Sequence, residues 1–287
     1  MIYSIDGTPL QDAYGLDGQA LSAAYAIDGT QIFPSSFPLK VMTYNVGQWY
    51  YGSGDNVPAN EDEFFYALQN GMIQQDDPDV LCLQEYWKVF SKTGRTALSM
   101  LQQYFPYIHE EGGNSGYFGR CICSKYPISN YTIRTYTAES SRYYDSCIVT
   151  VHGVPITFVN THLATTQANR DLENPELIAY VQSLSRFVLC GDFNTEIIYN
   201  TASVEDERYI ENVKPYLDAG LNSANFIPPH FLMTCINWVN GNHLCLDNIY
   251  TSAGITVDSA YVDDAKLDAL PENRVDHMPL IAELTIN

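Results

Sequence analysis

The chain has 287 residues, of which 46% are hydrophobic and 17% charged; that is enough apolar material for one large domain with a small appendage, and too much for a disordered chain. A formal charge of −20, with only 14 Lys and Arg residues and no run of them, excludes a protein that grips nucleic acid through a broad basic face, but not an enzyme that acts on it. The longest apolar runs, such as 80–83 and 187–190, hold four or five residues, against the roughly 20 that span a bilayer.

Residues 1–36 repeat with a period of 11. Tyr3, Tyr14 and Tyr25 lead the units, Asp6-Gly7, Asp17-Gly18 and Asp28-Gly29 follow, and Leu10, Leu21 and Ile32 stand four positions after each Asp. Asp-Gly between short apolar stretches signals two-residue hairpins, because Gly tolerates the positive φ of a primed turn. The repeats therefore predict a small β-rich extension, read either as an attachment or assembly module or as a solvated appendage. The start, Met1-Ile2-Tyr3-Ser4-Ile5-Asp6, has no basic n-region and no apolar h-region. Residues 34–38 read as a linker, and 37–287 as a second domain.

From there the pattern alternates. A strand over 40–46, a helix over 61–75 with Phe64, Phe65, Leu68 and Met72 on one face, and a buried strand over 79–84 give β-α-β order. A helix over 96–104 precedes strands at 119–124, 131–137, 147–151 and 156–161. A helix over 175–185 leads to a strand at 187–190, a helix at 213–219, and strands at 246–251 and 280–286. This mixture is too irregular for a doubly wound sheet and predicts an α/β fold with more than one sheet. Most of the seven cysteines fall inside these apolar runs, which suits buried thiols in a reduced, cytoplasmic-type chain; secretion would need a leader removed ahead of Met1. Cys121 and Cys123 alternate on one strand and read as packing.

Polar, metal-capable or proton-transferring residues stand where the apolar strands stop: Thr43-Tyr44-Asn45-Val46, Leu83-Gln84-Glu85, Asn160-Thr161-His162-Leu163, Gly191-Asp192-Phe193-Asn194, Leu246-Asp247-Asn248-Ile249-Tyr250 and Asp276-His277-Met278-Pro279. Singly each is weak, since an Asn after a strand is usually a turn former and an Asp in a strand usually a pairing residue. His109, His152, His230 and His243 fall outside these clusters and read as surface or packing residues.

In this order and over about residues 39–287, the six clusters resemble the endonuclease/exonuclease/phosphatase superfamily, which includes deoxyribonuclease I, repair nucleases, neutral sphingomyelinases and inositol polyphosphate 5-phosphatases. The resemblance implies a four-layer sandwich of two mixed β-sheets flanked by helices. It implies hydrolysis of phosphate esters with a divalent cation, Mg²⁺ or Mn²⁺, because the reaction adds charge to oxygens already carrying it and a hard, oxygen-ligated cation offsets that charge. Glu85 would supply an anionic ligand, Asn45 a carbonyl oxygen beside it, and Asp276 a second carboxylate. Asp192 would activate the attacking water, and Asn194 would fix the phosphate or the water through its amide. His277, held by Asp247, would stabilise charge on a phosphoryl oxygen, and His162 would protonate the leaving group.

Substrate contacts are less defined. Arg142 is displaced from the arginine position that many members place before the NTHL-like element, and Asp145 intrudes next to it. Trp49 could stack on a base or sugar. The polar stretches 47–60 and 222–242 read as rims of a substrate cleft. The aromatic-arginine step of the inositol phosphatases does not follow Asn194. Three readings stay open: a nuclease-type phosphodiesterase, with nucleic acid as partner; a phosphatase or phosphodiesterase for a lipid headgroup or small phosphorylated metabolite; and a catalytically silent binding module of the same fold.

Overall fold

A computed structural model of the protein describes residues 36–47, 59–89, 94–112, 119–138, 142–226, 230–237, 240–264 and 276–287. The period-11 repeats and Trp49 lie outside the described residues.

Two mixed β-sheets lie face to face. The first has the order β12 (Ile255–Val262), β13 (Leu280–Ile286), β1 (Phe37–Asn45), β2 (Val80–Tyr86), β4 (Gly119–Ser124) and β3 (Tyr107–Glu111). The second has the order β10 (Cys235–Asn237), β11 (Asn242–Thr251), β8 (Phe187–Ile198), β7 (Val154–His162), β6 (Tyr143–Val151) and β5 (Ile128–Thr135), with β9 (Asn222–Ser223) paired to β11. Each sheet holds one parallel pair, β1 with β2 and β7 with β8. Each of these pairs spans a helical crossover, α1 (Ala59–Asp76) in the first and α3 (Gln167–Gln182) in the second, as a parallel connection requires.

Strands buried on both faces explain why the central ones read as unbroken apolar runs. Val41, Val80, Cys82, Ile122 and Leu280 meet Cys147, Val149, Phe158, Val188 and Ile249 between the sheets. Their sequence neighbours Met42, Leu81, Leu83 and Ile281 turn outward onto Met72 and Ile73 of α1 and onto Met100 and Leu101 of α2 (Ala97–Leu101). On the other side Val159 and Leu189 pack under Leu177 and Val181 of α3, with Tyr209 of α4 (Glu207–Asn212) and Tyr216 of α5 (Lys214–Asp218). Helix, sheet, sheet and helix make four layers, as the family resemblance implied. All seven cysteines are buried and free. No helix among the described residues is long and apolar enough to cross a membrane.

Three departures have clear causes. Phe37 and Pro38, read as linker, belong to β1 because Phe37 pairs with Ile286 and Pro38 with Thr285. Helix α3 begins eight residues before the sequence expectation, so that Pro175 sits inside it. Its first turns are anchored by tertiary contacts: the buried Arg170 guanidinium donates to the Ala164 and Thr165 carbonyls, and Glu173 accepts from the Ala164 N–H at 2.7 Å. Strands β3 and β12 lie at sheet edges and α4 carries only two buried residues, Tyr209 and Asn212, so none has the apolar period that marks the central elements.

Asp145 places a carboxyl group inside this packing. It is fully buried on β6, accepts from the Tyr131 hydroxyl at 3.1 Å and lies 4.0 Å from Arg120 Nε, and burial pushes its pKa up to about 7. A carboxyl whose folded pKa exceeds its unfolded value favours the native state below the unfolded value, and that advantage is lost as pH rises through the folded one. Between pH 4 and 7 this group therefore withdraws stability, on the order of 4 kcal/mol at most. Asp145→Asn should flatten that dependence, and urea midpoints of both proteins at pH 5 and pH 8 would show it. Parallel profiles would mean that Asp145 is ionised throughout.

Candidate active site

Strand register brings the polar ends together. In the second sheet His162 of β7 pairs with Asp192 of β8, and Asp192 pairs with Asp247 of β11, so three titratable residues stand abreast on adjacent strands. In the first sheet Asn45 lies beside Gln84. A buried polar seam joins the sheets under them: Gln84 donates to Thr43 Oγ1 at 3.0 Å and to Asn160 Oδ1 at 2.8 Å, and Asn160 donates to the Leu83 carbonyl at 3.0 Å. Fully satisfied, such a network fixes one relative placement of the sheets.

Simple alternation would turn Glu85 away from Gln84 and toward the helices. Glu85 instead has φ 48°, at a register shift between Leu83 and Tyr86, and this kink aims its carboxylate at the second sheet. Asn194 has φ 47° and donates its backbone N–H to Asp192 Oδ1 at 2.9 Å. Non-glycine residues at positive φ are uncommon, and Glu85 and Asn194 are two of six among the described residues.

Asp192 Oδ2 is the hub. It accepts from Asn45 Nδ2 at 3.0 Å and faces His162 Nε2 at 3.4 Å and His277 Nε2 at 3.5 Å. Asn45 Nδ2 also reaches Glu85 Oε1 at 3.4 Å. Behind His277, Nδ1 meets Asp247 Oδ2 at 2.7 Å. Burial alone would lower the pKa of His277, but Asp247, Cys235 and Asp192 together raise it well above the usual histidine value. Burial pushes Asp247 up to about 6 while His277 pulls it down, so at neutral pH the two form a buried ion pair. His162 goes the other way: burial, then Arg142 and Arg120, hold its pKa well below the usual value. Burial also raises Glu85, with Asp192 adding to it.

A cavity of about 470 Å³ opens onto this group and is lined by Glu85, His162, Asp192, Asn194, Asp276 and His277. Arg142 lines it as well, despite its displacement in sequence, while Asp145 points into the packing with Arg120. Seven of the nine expected site residues that are described thus border the cavity, and Asn45 and Asp247 adjoin it through Asp192 and His277.

Three of the expected site residues make contacts that bear on their roles. The Gly47 N–H donates to Asn45 Oδ1 at 3.0 Å, and the Asn45 amide nitrogen faces Glu85 and Asp192. Asn194 spends its amide on the Leu163 carbonyl at 2.8 Å, pinning the turn after His162. Burial and the two arginines disfavour the charged form of His162. Two neighbours were not singled out in the sequence. Thr234 Oγ1 accepts from the Leu246 and Asp247 N–H groups at 3.0 Å each, and Cys235 lies against His277. Both sit in a polar stretch whose composition reads as loop.

A divalent cation fits this donor set. Carboxylates from Glu85 and Asp192 face the same space, Asp247 Oδ1 is buried without a hydrogen-bond partner, and ligand atoms of Asp192, Asp247 and His277 lie within 4.8 Å of one another. Oxygen-rich sites of this kind suit hard cations.

Among solved structures, the chain is similar to an endonuclease/exonuclease/phosphatase from Bacteroides vulgatus, with TM-score 0.65 and 15% identity, covering 88% of this chain and 100% of that one. A counterpart from Beutenbergia cavernae gives TM-score 0.64 and 14% identity over 87% of this chain and 72% of that one. The human Nocturnin catalytic domain, with a bound sulfate anion, gives TM-score 0.60 and 20% identity over 87% and 95%. No curated protein matches the sequence. The model of the endonuclease/exonuclease/phosphatase family matches residues 42–269, and with that match the chain is assigned to this family of phosphoric ester hydrolases.

Proposed function

We propose that the chain is a divalent-metal-dependent phosphodiesterase of the nuclease type. The observation that carries this reading is the convergence of Glu85, Asp192 and the Asp247–His277 ion pair on one cavity. A Mg²⁺ or Mn²⁺ ion held by Glu85, with Asp276 as a second carboxylate, would polarise the phosphoryl group and stabilise the leaving oxygen. Asp192 Oδ2 accepts a proton from the attacking water, and Asn45 and the Asn194 N–H keep that carboxylate in place. His277, kept cationic by Asp247, donates from Nε2 to a phosphoryl oxygen as charge develops there. Arg142 draws the phosphate into the cavity, and neutral His162 hydrogen-bonds the substrate or the water.

A specific observation favours a second reading, a lipid-headgroup or small-metabolite esterase. Ile236, Leu244 and Leu246 form an apolar wall of the cavity, and the chain carries −20 overall; both suit a compact substrate better than an extended polyanion.

The two separate when the protein is incubated with Mg²⁺ or Mn²⁺ and, in parallel, plasmid DNA, bis-p-nitrophenyl phosphate, sphingomyelin and inositol phosphates, with a chelator control. Chelator-sensitive cleavage of DNA and the synthetic diester supports the nuclease type. Turnover confined to sphingomyelin or inositol phosphates supports the second reading, and no turnover on any of them overturns both.

A further inference from the structure

One thiol beside His277 has no direct role in the proposed hydrolysis. Cys235 is 4% exposed, on a short ladder that faces the Asp276-His277 pair: the Ile236 N–H donates to the Asp276 carbonyl at 2.7 Å, and the Met278 N–H to the Thr234 carbonyl at 2.8 Å. These bonds hold the thiol, the carboxylate and the imidazole in fixed relation. One ligand atom from each of Cys235, Asp276 and His277 lies within 4.8 Å of the other two, and all three residues line the cavity.

Mg²⁺ prefers oxygen ligands and has little use for a thiolate. Zinc accepts sulfur, imidazole nitrogen and carboxylate oxygen together, and with three protein ligands it keeps a fourth position for water. His277 Nδ1 is committed to Asp247, an arrangement that orients a histidine for a metal at its other nitrogen.

We propose that Cys235, Asp276 and His277 form a binding site for a thiophilic divalent ion, zinc above all, through which such ions inhibit the enzyme. Binding breaks the Cys235 Sγ–H bond and the N–H bond at the ligating nitrogen of His277. The two protons leave to solvent, metal–sulfur and metal–nitrogen bonds form, and nothing is oxidised or reduced. The ion takes the imidazole that would otherwise face the phosphoryl group, so inhibition follows from occupancy.

Cobalt is the reporting probe, since a cobalt–thiolate bond absorbs in the near ultraviolet. Titration of the metal-free full chain with Co²⁺ should produce that band in the wild type, Zn²⁺ should bleach it, and Cys235→Ser and Cys235→Ala should lack it while retaining the wild-type circular dichroism. In a second arm, with Mg²⁺ fixed and bis-p-nitrophenyl phosphate as substrate, the zinc concentration that halves each protein's own zinc-free rate should rise at least about tenfold in Cys235→Ser, the loss of one of three ligands. No band in the wild type, a band that persists in both variants, or equal zinc sensitivity would overturn the site. The absorption arm decides even if the synthetic diester is not turned over, which keeps failure of this site distinct from failure of the hydrolytic reading.

Discussion

Asp192→Ala lowers phosphodiester turnover by at least about a hundredfold, the scale of a lost general base, while the circular dichroism and the urea midpoint stay near wild type. The geometry concentrates this effect in one atom: Oδ2 faces Asn45, His162 and His277 at 3.0–3.5 Å, and no other carboxylate contacts all three among the described residues. The fold survives because Asn45 retains Gly47 and Glu85, and His277 retains Asp247. His277→Ala should cost as much, since it removes the cationic donor and leaves Asp247 buried and unpaired. Asp192→Asn separates charge from shape; it keeps the volume and should be as inactive as the alanine variant. Rates within about threefold of wild type in either alanine variant would show that the assigned roles are wrong, because a lost catalytic group costs far more than that.

Gly191→Ala is expected to yield little or no folded protein. A Cβ at position 191 would lie 2.2 Å from the Thr161 carbonyl oxygen and 2.8 Å from Thr161 Cγ2, and the glycine has φ 159°, at the limit of what side chains tolerate. The obstacle is backbone, not the end of a flexible side chain. Thr161 is the residue paired with Gly191 in the parallel β7–β8 ladder, whose neighbours Cys190 and Asp192 are buried. Relief would require the two strands to part where the sheet is most enclosed, at a cost of at least about 3 kcal/mol, the upper range for overpacked cores. The measurement is the urea midpoint, or soluble yield where no transition is seen. Stability close to wild type would mean that β7 and β8 splay there without penalty.

The glycine of Gly191-Asp192-Phe193-Asn194 is thus required by strand approach, a reason that cannot be read from the tetrapeptide. Other features were open to reading because burial on both sides leaves a plain trace: Val80 to Leu83 and Phe187 to Cys190 are continuous apolar runs, and a polar residue ending such a run stands out. The edge strands β3 and β12 leave no such trace, since no residue of β3 and only Ile255 of β12 is fully buried. Composition located Asn45 and Asn194 but could not orient them; that depends on which backbone groups claim each amide, Gly47 for one and Leu163 for the other. Nor could it set the charges of two histidines. Asp247 keeps His277 protonated, whereas Arg142 and Arg120 help keep His162 neutral. Thr234 and Cys235 reach the centre through pairing with β11 and with Asp276 to Met278, some forty positions away.

The proposed catalytic group is divided between the sheets, with Asn45 and Glu85 on one and His162, Asp192 and Asp247 on the other, and it is joined across them by Asn45, Gln84 and Asn160. A molecule with both halves formed but not yet seated against each other would keep its strands and be inert. Reaction rate is therefore a gauge of how the halves are seated, and it should register a misfit of under an ångström that spectra of the backbone would pass over.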